Sequence, residues 1–361
     1  MIYSVIAGSG SYLPETIKKN EDFVQSTFYE STGLKLDRPL EEIIRKFQQI
    51  TGINERRYVE DHLVTSDIAH LAAEKAIVNS GINREELDYV IVAHNFGDVR
   101  DAGYHSDFVP TIAARVKHKL GIENPYTVAY DLPFGCPGWL QAVIQANYYI
   151  KSGDAKNILV IGAETLSRVS DPYDRDSMIY SDGAGAIVLR AVASEEPVGI
   201  LSHITRSDTR DEVFLLRMDK SYNQEKQEQL YLKMNGRKLY EYALKTVPSA
   251  IKACIDKSGL DISHIERILI HQANEKMDDA IVNRLYELYG IKQRPEFSMP
   301  MTIASLGNNS VATLPILYDL ITKRIVDNHL LNPDDHFVFA SVGAGMNVNA
   351  LVYKMPAESN N

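Results

Sequence analysis

The chain has 361 residues, 45% of them hydrophobic and 24% charged, with a formal net charge of −10. A chain this long can bury a large core, and its acidic balance excludes the broad basic field on which nucleic-acid binding depends. Its two cysteines, Cys136 and Cys254, have no CxxC or zinc-type spacing and make no disulfide framework, so both are read as free thiols.

The opening stretch, Met1-Ile-Tyr-Ser-Val-Ile-Ala-Gly8, predicts a strand over 2–8 and lacks the basic region and long apolar run of a signal peptide. No apolar run approaches the ~18 residues of a membrane span, so a cytoplasmic protein with no membrane partner is expected. Patterning then predicts a helix near 64–80, a strand at 88–94, a helix near 138–152 and strands at 157–163 and 184–190. Further on come helices near 236–258, 274–289 and 309–327, with strands at 265–270, 336–341 and 346–353. Strands and helices alternating in this way favour an α/β protein whose sheets are covered by helices.

The pattern occurs twice. Ala76 to Ile91, AIVNSGINREELDYVI, aligns without a gap on Cys254 to Leu269, CIDKSGLDISHIERIL. Asp182-Gly-Ala-Gly-Ala-Ile-Val-Leu189 likewise pairs with Val342-Gly-Ala-Gly-Met-Asn-Val-Asn349. Two matches in the same order, half a chain apart, indicate duplication of a large unit rather than a solenoid, whose periods are about 20–50 residues. The boundary is expected near 195, giving halves of 1–195 and 196–361.

Three positions suggest chemistry. At the end of the repeated strand, Ala93 in the first half corresponds to His271 in the second, at a strand terminus where open α/β sheets carry their sites. Taken alone, His271 also fits a strand-end histidine satisfied by backbone. Cys136, in Leu132-Pro-Phe-Gly-Cys-Pro-Gly-Trp139, is followed by a proline that biases it toward extended geometry and itself suits a first helical turn. A thiol at such an elbow meets the positive end of a helix, which favours the thiolate. The alternative is a small buried hydrophobe, the reading that suits Cys254 within Ala250-Ile-Lys-Ala-Cys-Ile255. Asn308, in Ser305-Leu-Gly-Asn-Asn-Ser-Val-Ala312, leads into another helix and is read either as a cap or as a site residue. Duplication symmetry would bring the Cys136 and Asn308 helix starts together, and a thiol with two neutral hydrogen-bonding groups suits acyl transfer and carbanion chemistry.

With these residues in place, the chain resembles the thiolase-fold condensing enzymes, and most closely the β-ketoacyl-acyl-carrier-protein synthase III family. The likeness rests on Gly8-Ser-Gly-Ser-Tyr-Leu-Pro-Glu15, Thr51-Gly-Ile-Asn-Glu-Arg-Arg57, the cysteine elbow, Asp171-Pro-Tyr-Asp-Arg175, Ser181-Asp-Gly-Ala-Gly185, His271-Gln-Ala-Asn274, Gly307-Asn308 and Gly343-Ala-Gly345. It implies two βαβαβαββ halves in a five-layered αβαβα core, and a homodimer. It also implies that Cys136 takes an acyl group from a thioester primer, with oxyanion donors from its own N–H and the loop Gly343, Ala344 and Gly345. His271 and Asn308 would hold the malonyl thioester carbonyl through decarboxylation. Arg175 and Asn274 would lie at the pantetheine entrance, and Lys276 would contact an acyl carrier protein. Acyl-CoA or acyl-carrier protein and malonyl-carrier protein would be substrates, with no metal or redox cofactor.

Departures from the family pattern bear on the substrate. Pro137-Gly138-Trp139 replaces a small residue followed by Gly-Phe and is expected to reshape the acyl pocket. Lys46 and Ile50 stand near where the family tends to carry a Trp and an Arg for the adenine of coenzyme A, after an apparent insertion around 29–39. Glu241 occupies a position where a lysine is common, and Lys238, Lys245 and Lys252 recur every seven residues as a solvated face or a carrier contact. The polar segment 95–110 is longer than its family counterpart and is expected to influence primer choice; His94 and His105 are read as structural or surface residues. A non-decarboxylating or head-to-head condensing relative would need a glutamate base from about 89–122, a span with no Glu, and Asp98, Asp101 and Asp107 differ in reach. Two other readings stay open: a specialised ketosynthase of polyketide or aryl-lipid metabolism using carrier-bound or longer primers, and a non-catalytic carrier-binding or heterodimer partner.

Overall fold

The computed structural model describes residues 1–100 and 105–357. In chain order its elements are β1 (Ile2–Tyr12), β2 (Thr16–Lys19), α1 (Leu40–Thr51), β3 (Glu55–Tyr58), α2 (Thr65–Ser80), β4 (Tyr89–Ala93), β5 (Asp98–Val99), β6 (Ser106–Asp107), α3 (Ile112–Lys119), β7 (Val128–Leu132) and α4 (Gly138–Ser152). There follow β8 (Asn157–Thr165), β9 (Asp182–Ala193), β10 (Gly199–Ser207), β11 (Leu216–Lys220), β12 (Leu230–Met234), α5 (Gly236–Ser258), β13 (Ile265–Ile270), α6 (Glu275–Glu287), α7 (Ile303–Leu306), α8 (Thr313–Thr322), β14 (His336–Gly343) and β15 (Asn347–Lys354).

One sheet runs β1-β9-β8-β4-β7 and the other β10-β15-β14-β13. In the first, β4 is parallel to β7 and β8 while β9 is antiparallel to β8 and β1. The second repeats this pattern, with β13 parallel to β14 and β15 antiparallel to β14 and β10. Where a fifth strand would flank β13, an irregular segment runs instead, and the Ile268 N–H donates to the Ser298 carbonyl at 2.8 Å.

Helices α2 and α3 cover the outer face of the first sheet, α5 and α6 that of the second, and α4 and α8 pack between the sheets. The middle layer is apolar on both sides because α4 buries Trp139, Leu140, Val143 and Ile144, and α8 buries Leu314, Leu317, Tyr318 and Ile321. A helix enclosed between two sheets has to be apolar around most of its circumference, which these two sequences are. The result is the five-layered αβαβα arrangement implied by the resemblance.

The helix expected over 309–327 begins only at Thr313, because residues 310–312 form a tighter turn. Ser310 there has φ of 51°, a left-handed conformation uncommon for a residue with a Cβ. Trp139 does not reach the cavity described below. It points into the middle layer and meets Phe339 edge to face at 5.5 Å, and is not among the residues lining the cavity.

Candidate active site

Cys136 sits immediately before α4, whose N-cap is Pro137. The turn holding it depends on two glycines. Gly135 has φ of 67°, and a Cβ there would lie 2.7 Å from both the N and the O of Ala344. A Cβ on Gly343 would lie 2.6 Å from the Cys136 nitrogen. Only glycine permits these approaches, and they seat the Gly343-Ala344-Gly345 loop against the Cys136 backbone. Asn347 Nδ2 fixes the loop by donating to the Ala344 carbonyl at 2.9 Å.

His271 follows β13, its N–H bonded to the Ala340 carbonyl at 2.8 Å. Gln272 is buried and structural: its Oε1 accepts from the Thr302 N–H at 2.9 Å and its Nε2 donates to the Pro300 carbonyl at 2.9 Å. Asn308 is clamped against the segment leading into β9, its N–H on the Ile179 carbonyl and its carbonyl on the Ser181 N–H, both at 2.9 Å. The Asn308 amide is oriented as well, because the Ser310 N–H donates to its Oδ1 at 2.8 Å. That leaves its Nδ2 as the donor for a ligand.

Cys136, His271 and Asn308 line one cavity of about 650 Å³, together with Ala344, Asn274 and Arg175. Burial drives the His271 imidazole down to about 4, so at neutral pH it is an uncharged ring with one donor and one acceptor nitrogen. Burial also pushes the Cys136 thiol up to about 11, although its own N–H and Ser310 act in the opposite direction. Desolvation thus opposes the thiolate that the helix start is expected to favour. Among the described residues, no group of three or more His, Cys, Asp or Glu side chains is placed to hold a metal ion.

Asn274 caps α6, its side chain accepting from the Met277 N–H at 3.1 Å. Arg175 lies on a turn fixed from beneath by buried Lys233, which contacts Asp171 at 2.5 Å and Asp174 at 3.0 Å. Lys276 is exposed on α6 and does not line the cavity. From the 29–39 segment come Leu36 and Arg38, and Lys46 and Ile50 line the same space. Lys238, Lys245 and Glu241 are exposed, whereas Lys252 pairs with Asp256 at 2.7 Å.

Of the other candidates, His94 is buried, with Nδ1 accepting from the Gly97 N–H at 3.0 Å and Nε2 2.9 Å from Asp131. His105 is exposed. Asp98 bonds Ser66 and pairs with Arg115, and Asp107 pairs with Arg115; Asp101 lies outside the described residues. Cys254 is buried beside Ser202.

Sequence reasoning missed three residues beside the thiol. Ser310 Oγ is 3.4 Å from the Cys136 sulfur, Asn95 Nδ2 is 3.5 Å from Ser310 Oγ, and Asn95 Nδ2 donates to buried Glu164 at 2.8 Å. The available signal for Glu164 was a single acid at the carboxyl end of the otherwise apolar run Ile158-Leu-Val-Ile-Gly-Ala-Glu164.

A two-sheet, five-layered core with a cysteine elbow facing a histidine and an asparagine across one cavity defines a thiolase-like condensing enzyme. Models of the 3-oxoacyl-[acyl-carrier-protein] synthase III family match residues 130–209, and of its C-terminal part residues 255–355. The β-ketoacyl-[acyl-carrier-protein] synthase III of Staphylococcus haemolyticus is 32% identical over 350 residues, 97% of this chain and 98% of that one. The chain belongs to this family. Among solved structures, the 3-oxoacyl-[acyl-carrier-protein] synthase III of Aquifex aeolicus superposes with a TM-score of 0.78 at 28% identity, over 97% of this chain and 99% of that one. The priming β-ketosynthase of the R1128 polyketide biosynthetic pathway does so at 0.79 and 25% identity, over 98% and 97%.

Proposed function

We propose that the chain joins an acyl thioester primer to malonyl-acyl-carrier protein, with loss of carbon dioxide, to give a 3-oxoacyl product, the initiating condensation of fatty-acid synthesis. The observation that carries this reading is the meeting of the Cys136 thiol, the uncharged His271 ring and the oriented Asn308 amide in one cavity. Cys136 sulfur forms a bond to the primer carbonyl and the primer's thiol leaves with a proton, while the Cys136 N–H and the 343–345 loop receive the oxyanion. Malonyl thioester then places its carbonyl oxygen on His271 and Asn308. As carbon dioxide departs, the electron pair of the broken C–C bond becomes an enolate held by these donors. The enolate carbon bonds to the acyl carbon, and Cys136 leaves as thiolate.

The chain is read as two halves, 1–195 supplying Cys136 and 196–361 supplying His271 and Asn308. A carrier protein fits the cavity's electrostatics. The overall charge is −10, yet Arg38, Lys46, Arg175, Arg217 and Arg237 line the cavity beside Asp176. Lys46, Arg175, Arg217 and Arg237 are paired with Glu42, Asp176, Asp219 and Glu241, and a phosphopantetheine with an acidic partner would compete with those carboxylates for them. Lys276 extends this set on α6 as a docking contact. A homodimer is supported by the edge strand β7, whose Val128 is 48% exposed beside Tyr126 at 86%. No helix among the described residues is long and apolar enough to cross a membrane. The enzyme is read as working beside its carrier in the cytoplasm.

A second reading, a specialised ketosynthase for longer or carrier-bound primers, draws support from the cavity wall. Leu36, Ile43, Phe47, Leu216 and Met218 make that wall apolar. Intact-protein mass spectrometry with a panel of acyl-CoA and acyl-carrier thioesters separates the two. A short acyl adduct on Cys136, discharged by malonyl-carrier protein, is the expected result; adducts from longer or carrier-bound donors alone would favour the second reading, and none from any donor would leave a non-catalytic partner. Cys136→Ala should abolish the adduct and Cys254→Ala should leave it, whereas equal loss in both would remove Cys136 from its role.

A further inference from the structure

We propose that Glu164 and Asn95 are positioning residues for the nucleophile: they set the direction of a hydrogen-bond chain that obliges Ser310 to donate to the sulfur of Cys136. The inference rests on Cys136 being the acyl acceptor, and it concerns groups that the condensation chemistry itself does not use.

The argument is one of donors and acceptors. The Asn95 amide has a fixed orientation. Its Oδ1 accepts from the Gly135 N–H at 2.9 Å, one residue before the cysteine, and its Nδ2 donates to Glu164 Oε2 at 2.8 Å. The Asn95 backbone N–H also points at the carboxyl group, 3.1 Å from Oε2. Turning the amide over would set its nitrogen against the Gly135 N–H and its oxygen against the carboxylate, losing both bonds.

The same Nδ2 reaches Ser310 Oγ at 3.5 Å. Ser310 Oγ therefore accepts on the Asn95 side, and its single proton is left for Cys136 Sγ at 3.4 Å. When the thiol ionises, this O–H is a ready-made donor to the thiolate. Ser310 keeps this position at a cost, since its φ of 51° is strained for a side-chain-bearing residue. Its N–H simultaneously orients Asn308, so one strained residue serves both the sulfur and the amide opposite it.

Glu164 is fully buried and does not line the cavity, while Asn95 and Ser310 do. It thus acts through them and not as a base on substrate. His94 faces it from the end of β4 and Asp182 from β9, and its negative charge opposes formation of the Cys136 thiolate. The donor chain counteracts that repulsion at the atom where it matters.

The test exchanges donor and acceptor. The double variant Asn95→Asp with Glu164→Gln keeps the pair hydrogen-bonded and its formal charge unchanged, but the carboxylate introduced at position 95 now demands a proton from Ser310 and the sulfur loses its donor. The rate of Cys136 alkylation by iodoacetamide at pH 8, read by intact mass spectrometry, should fall about ten-fold or more, as expected for one hydrogen bond to a charged group. Ser310→Ala should fall by a similar factor, and combining it with the exchanged pair should add nothing. Thermal unfolding of the exchanged pair should stay close to that of the parent enzyme. Parental alkylation rates in the exchanged pair, or a further slowing when Ser310→Ala is added, would overturn the proposal, the latter because it would reveal charge repulsion acting alone. If the exchanged pair loses its fold, Asn95→Ala, which removes the amide that directs Ser310, must alkylate more slowly than the parent enzyme, and a parental rate there would also overturn the proposal. Alkylation needs no acyl donor, so this result stands apart from whether any thioester loads Cys136.

Discussion

At the scale of single residues, the site combines groups that burial holds away from their ordinary protonation. Burial keeps His271 neutral at ordinary pH, and it lifts Glu164 from its ordinary 4.5 to about 7. The raised carboxyl has a consequence for stability. Between pH 4.5 and 7 the folded chain retains a proton that the unfolded chain has lost, so this contribution is fully present below 4.5 and is lost as pH rises through 7. The shift corresponds to about 3 kcal/mol. Glu164→Gln, which cannot ionise, should therefore gain about 2–3 kcal/mol on the parent enzyme between pH 5 and pH 8, checked by urea unfolding at both values. A difference that does not change with pH would show that Glu164 does not titrate in this window.

At the scale of elements, the cysteine elbow and the 343–345 loop form one device, since Gly343 has no room for a methyl group against Cys136. Gly343→Ala should push the loop and elbow apart and cost about a hundred-fold in Cys136 acylation, the scale of losing an oxyanion donor, measured as the single-turnover rate of adduct formation. The elements with strong patterns were legible before folding. Helices at 138–152 and 236–258 and the strand at 265–270 coincide with α4, α5 and β13, because long apolar stripes ending in Gly153 and Gly259 mark helices, and IERILI bounded by a turn marks a buried strand. Strands β7 and β10 were missed for the opposite reason. VAYDL lies on an edge with no fully buried residue, and GILSHITRS turns polar halfway, so neither carries the apolar run that identifies a central strand. Of the site, Cys136, His271 and Asn308 could be singled out because each stands beside a helix start or strand end. Asn95 and Ser310 could not, since their importance lies in which atom faces which, and no spacing in the chain encodes that.

At the scale of the whole molecule, the first sheet ends in β7 and the second in β13, but the two edges are not equivalent. Beyond β13 the segment around Ser298 bonds back to Ile268 and covers part of that edge. Beyond β7 no further strand is paired among the described residues, and Val128 and Tyr126 lie open beside it. An exposed strand edge carrying apolar side chains is a template for pairing with another chain, and a protein that avoids aggregation covers it. A two-fold axis would pair β7 with its own copy and satisfy the same surface on both protomers at once. The elbow follows β7 directly, through Pro133, Phe134 and Gly135 to Cys136, so the strand that would make the interface also positions the nucleophile. If β7 forms the proposed two-fold interface, the parent chain should sediment as a dimer, and Val128→Lys should shift it to a monomer in sedimentation velocity and lower Cys136 acylation with it. A chain that sediments as a monomer without the substitution, or a monomeric variant that acylates at the parental rate, would show that β7 needs no partner to hold the site.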